Sequence, residues 1–97
     1  MSDISQYREG RKFAHLTSGT NVLHATGESA WLHSITINTG AVGVIGVFNK
    51  GDAEGNGDVA VITVAAGDEG TLTYDVRLNN GLTIDLSVTM DVTVVYE

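Results

Sequence analysis

The chain has 97 residues, no cysteine and a formal net charge of -7, which comes from 12 acidic and 5 basic residues. Hydrophobic residues make up 42% of it and charged residues 18%, a composition typical of one folded domain and unlike that of a disordered chain. The lack of cysteine excludes disulfides and thiolate metal sites. The acidic charge argues against direct binding of DNA or RNA.

The N-terminal segment is polar and has no apolar stretch of the kind that defines a signal peptide. We expect residues 1–12 to form a flexible arm and residues 13–97 to form a single β-sandwich domain. Arg8, Arg11 and Lys12 lie in this arm, and they indicate either a solvated tail or a segment that docks on an acidic neighbour. No stretch approaches the roughly 20 apolar residues that cross a membrane, so we expect no membrane contact and assembly in the cytoplasm.

The domain opens with two short predicted strands, at residues 12–16 and 20–24, separated by the turn residues Ser18 and Gly19. A third strand follows, in which strict alternation sorts the residues onto two faces. The two predicted faces are Trp31, His33, Ile35 and Ile37 against Leu32, Ser34, Thr36 and Asn38.

The middle of the chain holds two nearly continuous apolar runs, at residues 41–48 and 59–65. Gly43 and Gly46 interrupt the first run. Because glycine weakens a strand unless another group approaches closely or the strand bends, we expect this strand to be covered on both faces or bent around the domain.

From residue 71 onward, apolar and polar residues alternate with a period of two, which predicts half-buried strands at 71–78 and 82–89. The Asn-Asn-Gly sequence at 79–81 lies between them. Asparagine and glycine both tolerate positive φ, so this sequence predicts a hairpin or a tight bend.

The final segment turns Val92, Val94 and Tyr96 to one face. Val95 breaks this pattern, so it is a candidate for contact with a neighbouring chain.

No segment has the 3.6-residue period of a helix. We therefore predict an all-β fold, an antiparallel β-sandwich of about eight strands arranged as a jelly roll or a related Greek key. The chain has no proline, so its edge strands must be paired, charged or covered, and a second copy would cover one.

The residues give little indication of catalysis. His15, His24 and His33 recur every nine residues, but no two have the close spacing that places two imidazoles on one strand face. Ordinary surface histidines are therefore expected rather than a three-histidine metal site. The sequence contains no Gly-x-Ser-x-Gly elbow and no cysteine nucleophile. We expect neither an enzyme nor a cofactor.

An acidic, glycine-rich link joins the two central apolar runs at residues 51–58. Calcium prefers several oxygen ligands on a flexible backbone. The weak calcium candidates are Asp52, Glu54, Asn56 and Asp58. The EF-hand pattern fails at its twelfth position, which is Thr63 rather than glutamate, so a solvated hairpin loop is the favoured interpretation.

Trp31 is the only tryptophan of the chain. On an apolar strand face a tryptophan belongs to the core or to an interface, whereas an exposed tryptophan on a sandwich would indicate sugar binding. The sequence does not decide between core and contact.

Four segments resemble the strand and turn sequences of small virion proteins of tailed bacteriophages. They are LHSITIN, GTLTYDV, NGLTI and DVTVVYE, at residues 32–38, 70–76, 80–84 and 91–97, and the likeness spans residues 30–97. The resemblance implies a capsid decoration or cement protein, a jelly-roll sandwich that forms a symmetric homo-oligomer, a dimer or a trimer.

The resemblance also implies that the partner is the major capsid protein and that the location is the capsid surface of the virion, where the subunit stabilises the phage head. Two alternatives stay open. One is another virion component, such as a head-fibre or tail protein. The other is a carbohydrate-binding β-sandwich module, which predicts exposed aromatic residues on a concave face.

Overall fold

The computed structural model describes residues 11–54 and 59–97, and these residues form eight strands and no helix. Every strand pairing is antiparallel. The strands are β1 (Lys12–Leu16), β2 (Gly19–His24), β3 (Ala30–Thr39), β4 (Gly43–Phe48), β5 (Ala60–Val64), β6 (Gly70–Leu78), β7 (Leu82–Leu86) and β8 (Asp91–Tyr96). The predicted all-β class and the number of strands are confirmed. The extent of the arm stays a prediction, because residues 1–10 lie outside the described ranges.

The strands form two four-stranded sheets with the orders β1-β8-β3-β6 (sheet A) and β2-β7-β4-β5 (sheet B). Within these sheets β1 pairs with β8, β2 with β7, β3 with β6, and β4 with β5. These are the pairs of one long antiparallel hairpin that has been rolled up. The two additional pairings, β3 with β8 and β4 with β7, join the rolled ribbon into sheets. This arrangement is a jelly-roll sandwich, as the sequence predicts.

The core lies between the two sheets and is filled by aliphatic side chains that alternate along the strands. Five of them, on both sheets, have no accessible surface: Leu32, Ile35, Ile45, Leu82 and Ile84. Val92 and Val94 of β8 are equally buried, which confirms the predicted face of that strand. Each such side chain contributes about 1.5–3 kcal/mol relative to the exposed state, so burial is the main source of stability.

The predicted faces of β3 are wrong, because the strand contains a β-bulge. Its register shifts between Leu32 and Ser34 against both β6 and β8. Leu32, Ile35 and Ile37 consequently share the buried face, while Trp31 and His33 lie on the outer face. A strand that gains one residue inverts the side-chain parity beyond it. Asp75, on the neighbouring stretch of β6, has a positive φ of 47°.

Strand β4 is covered on both faces along its last four residues, as predicted. Ile45 and Val47 point into the core. On the outer face the ring of Phe48 lies over Gly46, and a Cβ added at Gly46 would be 2.8 Å from Phe48 Cε1. The glycine therefore provides the space that lets Phe48 lie flat on the sheet and stay 4% exposed.

The turn at 79–81 is a tight bend between the two sheets and not a hairpin, since β6 belongs to sheet A and β7 to sheet B. Three loops meet there and bond to one another. The Gly27 amide donates to Asn80 Oδ1, the Gly51 amide donates to Thr26 Oγ1, and the Asn80 amide donates to Asn49 Oδ1. We call this group the loop cluster. It fixes the end of the sandwich at which β2, β4 and β6 terminate.

Gly81 lies at the centre of the loop cluster with a φ of 122°, and a Cβ there would lie 2.9–3.0 Å from backbone atoms of His24, Ala25 and Lys50. We expect Gly81→Ala to lower the free energy of unfolding by about 3 kcal/mol. The matched control is Gly27→Ala, which has a φ of 95° but no atom near the new methyl, and it should cost about 1–2 kcal/mol. Urea unfolding of both variants tests this, and equal losses would show that the close packing around Gly81 contributes nothing.

Candidate functional site

The outer face of sheet A carries a cluster of charged and aromatic side chains at the end of the sandwich that holds the loop cluster. The bulge in β3 directs His33 into it. His33 Nε2 donates to Glu97 Oε2 at 2.7 Å, and Nδ1 lies 3.1 Å from Asp75 Oδ1. The Arg11 guanidinium lies 3.3 Å from Nδ1. The His33 side chain is 11% exposed, so packing and two carboxylates fix its ring.

Glu97 is bound by two histidines from different sheets. While its carboxylate accepts from His33 of β3, its carbonyl oxygen accepts from His24 Nε2 of β2 at 2.9 Å. The other nitrogen of His24 faces Glu28 at 3.2 Å, and the His24 ring meets the ring of Tyr96 edge to face. These contacts connect the two sheets beside the loop cluster.

The three histidines do not converge. His15 lies elsewhere on the outer face of sheet A and donates to Asp91 Oδ1 at 2.6 Å. His24 and His33 approach Glu97 through different atoms and do not share a ligand position. In the described ranges no group of three His, Cys, Asp or Glu side chains has metal-binding geometry.

Trp31 lies in a row of three side chains that crosses sheet A. It pairs with Arg77 of β6 on one side. On the other side the amide of Trp31 donates to the carbonyl of Glu97 at 2.9 Å, and the amide of Glu97 donates back at 2.8 Å. With Ser29 and Ala30, these three residues line an open pocket of about 220 Å³. Trp31 is 36% exposed, so it is a surface residue and not part of the core.

A second feature lies on the same sheet, at its β1 edge. Phe13 is 74% exposed and is the most exposed large apolar side chain in the described ranges. Its cross-strand partner is Val95, which in turn faces Ser34. Val95 thus breaks the alternation of β8 because it joins Phe13 in an apolar patch on the outer face. Whether a neighbouring chain covers this patch stays a prediction.

The acidic loop after β4 lies apart from both features. Asp52 Oδ1 accepts from the amide of Glu54 at 3.0 Å, and the Lys50 ammonium donates to the carbonyl of Glu54 at 2.7 Å. The two remaining calcium candidates, Asn56 and Asp58, lie outside the described residues. A lysine ammonium therefore lies next to the two candidates that the structure places. The pairing of β4 with β5 confirms that this link is a hairpin connection.

Two carboxylates on the surface have lowered pKa values. The hydrogen bond from His15, followed by one from Asn38, lowers the pKa of Asp91 below its ordinary value of 3.8. For Glu28, the bond from the Ala25 amide and then that from His24 lower the pKa. Donors that bond to the ionised form stabilise it.

The described side chains do not assemble a nucleophile with a base. Each histidine bonds to a carboxylate, and in the described part of the chain no Ser or Thr hydroxyl hydrogen-bonds to a histidine. What the outer face of sheet A offers is binding groups: an indole, a guanidinium, an oriented carboxylate and an exposed phenyl ring. The alternation of residues in the sequence predicts the wrong face for Trp31. It also does not indicate that Arg77 and Glu97 belong to the same site, because the three residues meet only through the strand order and the bulge.

Comparisons with family models, with curated proteins and with solved structures found no match to this chain. The described residues include no helix long and apolar enough to cross a membrane.

Millimolar calcium is expected to leave the melting temperature unchanged, because the Lys50 ammonium already lies beside Asp52 and Glu54 and would repel a second cation. Scanning calorimetry with and without calcium measures this, with magnesium as the control for general ionic effects. A rise in melting temperature that calcium alone produces, and that Asp52→Asn removes, would instead identify a calcium site.

The lowered pKa of Asp91 predicts how stability changes in acid. A carboxylate whose folded pKa is lowered stabilises the fold above its ordinary pKa, and this contribution is lost as the pH falls through the lowered value. His15→Ala removes the first cause, so NMR titration should find the Asp91 pKa raised toward 3.8, and the variant should lose less stability than the wild type below about pH 4. Asn38→Ala is the control and should produce a smaller shift in the same direction.

Proposed function

We propose that this protein is a structural subunit of a virus particle, a decoration or cement protein that binds and stabilises a phage head, and that it has no enzymatic activity. The observation that carries the proposal is the exposed Phe13 on edge strand β1. The sequence resemblance supplies the class of particle, and the surface supplies a means of attachment.

Phe13 has no role in the core that would explain its presence. At 74% exposure its ring stays in water, and an exposed aromatic side chain next to a second apolar residue is typical of a contact surface. Covering this ring and Val95 would remove apolar area from water, which favours association. Strand β1 also lies at the edge of sheet A in the described part of the chain, so one side of its backbone is open for pairing.

The β1 edge is basic within an acidic protein. Arg11 and Lys12 are exposed at its start, whereas the chain as a whole carries a net charge of -7. A basic edge favours approach to an acidic partner and disfavours approach of the remaining acidic surface to it. We assign the major capsid protein as this partner, with β1 as the strand that approaches it.

Self-association would serve the same role. A symmetric dimer or trimer would present several β1 edges to a capsid lattice at once, and linked weak contacts raise the overall affinity without any new contact. A head-fibre or tail component with this fold would use the same surface on a different partner. The two proposals therefore share the binding surface and differ in the partner and in the location on the particle.

Location is the direct test of the proposal. Antibodies against the purified protein, with gold labels, should decorate the heads of particles from a culture of the virus that encodes it, and light scattering after size exclusion should show a dimer or trimer that persists on dilution. Label on tails would favour the alternative virion component. A protein absent from washed particles would overturn the proposal.

Phe13→Ser should weaken binding to particles at least tenfold, because it removes the apolar centre of the β1 edge. The melting temperature should stay unchanged, since the ring is exposed in the free subunit. Val42→Ser is the matched control, as Val42 is 73% exposed on the loop between β3 and β4. Cosedimentation with particles measures both, and equal binding by the two variants would exclude the β1 edge as the contact.

A further inference from the structure

The row of Arg77, Trp31 and Glu97 places three different binding groups side by side on a rigid surface. Trp31 is directly opposite Arg77 on one neighbouring strand and directly opposite Glu97 on the other. Adjacent strands are about 4.8 Å apart, so the cation and the anion flank the indole from both sides. Because the backbones of all three residues are paired in one sheet, little ordering of the backbone is needed before a ligand binds.

The charged groups at the two ends of this row are available to a ligand. Within the described ranges Arg77 has no hydrogen bond or ion pair, although Glu97 lines the same pocket. Glu97 is held differently: its Oε2 accepts from His33 at 2.7 Å, and Oε1 has no hydrogen-bond partner among the described residues. As far as the described residues show, the pocket thus has an unpaired guanidinium, an unpaired carboxylate oxygen on a side chain that His33 holds in place, and an indole between them.

We infer that this pocket binds one pyranose ring of a saccharide. A pyranose has an apolar C–H face that lies on an indole, and its hydroxyl groups at the ring edge both donate and accept hydrogen bonds. The Arg77 guanidinium donates to hydroxyl oxygens, and the Glu97 carboxylate accepts from hydroxyl hydrogens. Ser29 also lines the pocket.

Other ligand classes fit the row less well because of its charges. An anion that pairs with Arg77 meets the Glu97 carboxylate, and a cation that pairs with Glu97 meets the guanidinium. A purely apolar ring would cover Trp31 and leave both charges partly desolvated, which costs free energy. A neutral, polyhydroxylated ring satisfies all three groups.

The size of the pocket limits what it holds. Its volume of about 220 Å³ lies below the roughly 300 Å³ at which pockets for drug-sized ligands begin. One sugar unit, such as the terminal residue of a glycan, is therefore the expected ligand, with a Kd on the order of 1 mM for a monosaccharide. Several copies on one particle would strengthen attachment to a glycan surface through multivalency.

This site is separate from the β1 edge and goes beyond the proposed attachment to a capsid. Phe13, on β1, is separated from Arg77, on β6, by β8 and β3, and Val95, on β8, is separated from Arg77 by β3. Neither Phe13 nor Val95 lines the pocket, so Arg77→Gln and Phe13→Ser test the saccharide site and the capsid contact independently.

The test uses methyl glycosides of glucose, galactose, mannose, rhamnose and N-acetylglucosamine as probes. Because Trp31 is the only tryptophan, its emission and its indole N–H resonance report on the pocket directly. Saturation-transfer NMR measures the same binding in variants that lack the indole. At least one glycoside should produce a saturable shift of the indole resonance, with a Kd on the order of 1 mM.

Four variants test the roles of the row. Arg77→Gln and Glu97→Gln should each weaken binding about tenfold, Trp31→Ala should abolish it, and Trp31→Phe should retain part of it. Lys12→Gln is the matched control, since it removes one positive charge from β1 and does not line the pocket. The melting temperature of Arg77→Gln should be unchanged, because its side chain is exposed and has no hydrogen bond or ion pair among the described residues.

Three results would overturn the assignment. One is the lack of a saturable shift with every glycoside, and another is a shift of equal size with sodium acetate, which would indicate an anion site at Arg77. Binding that Arg77→Gln and Lys12→Gln weaken to the same extent would also overturn it, since that would reflect net charge rather than the pocket.

Discussion

Sheet A must present Leu32 and Ile35 to the same core although an odd number of positions separates them. A regular strand would send one of the two into water, at a cost of about 1.5–3 kcal/mol. The bulge at residues 32–34 resolves this conflict and keeps both side chains fully buried. The consequence is local and chemical: Trp31, before the shift, and His33, within it, turn outward, where they become available for binding.

The bulge depends on its neighbours for stability. His33, the additional residue, is fixed by the carboxylates of Asp75 and Glu97, and Asp75 reaches it from a backbone conformation that few residues other than Gly, Asn and Asp adopt. Glu97 is in turn bound through its carbonyl oxygen by His24 of the opposite sheet. The irregular part of sheet A is thus connected to sheet B and to the loop cluster, which gives the binding surface a rigid support.

Most of the fold could be predicted from residue patterns, because strands with one buried face alternate visibly. The alternation of Leu82, Ile84 and Leu86 against polar residues, and that of Val92 and Val94, correctly indicates which side chains fill the core. The tight bend at 79–81 could also be predicted. Whether it forms a hairpin or connects the two sheets depends on which sheet β7 joins, and long-range strand pairing determines this without any local sequence signal.

The surface could be predicted much less well. No glycine or proline marks the bulge in β3, so simple alternation assigns Trp31 and Ile35 to one face when they lie on opposite faces. Arg77 and Glu97 are 20 positions apart in the sequence and meet Trp31 only because β3 lies between β6 and β8. The histidines, which have a visible spacing in the sequence, are distributed over separate carboxylate contacts. Regular spacing along the chain is therefore a weaker indicator of a site than strand order.

The rolled hairpin also constrains the order in which the protein can fold. The pair β4 and β5 is local, and each further pair, β3 with β6, β2 with β7, and β1 with β8, closes a longer loop around the previous one. Lys12 contacts Tyr96 across the outermost pair, so a chain that emerges from the ribosome cannot complete sheet A until β8 is available. Until then β1 and β3 lack the strand that joins them. Repulsion between the acidic nascent chains then opposes edge-to-edge association of their strands.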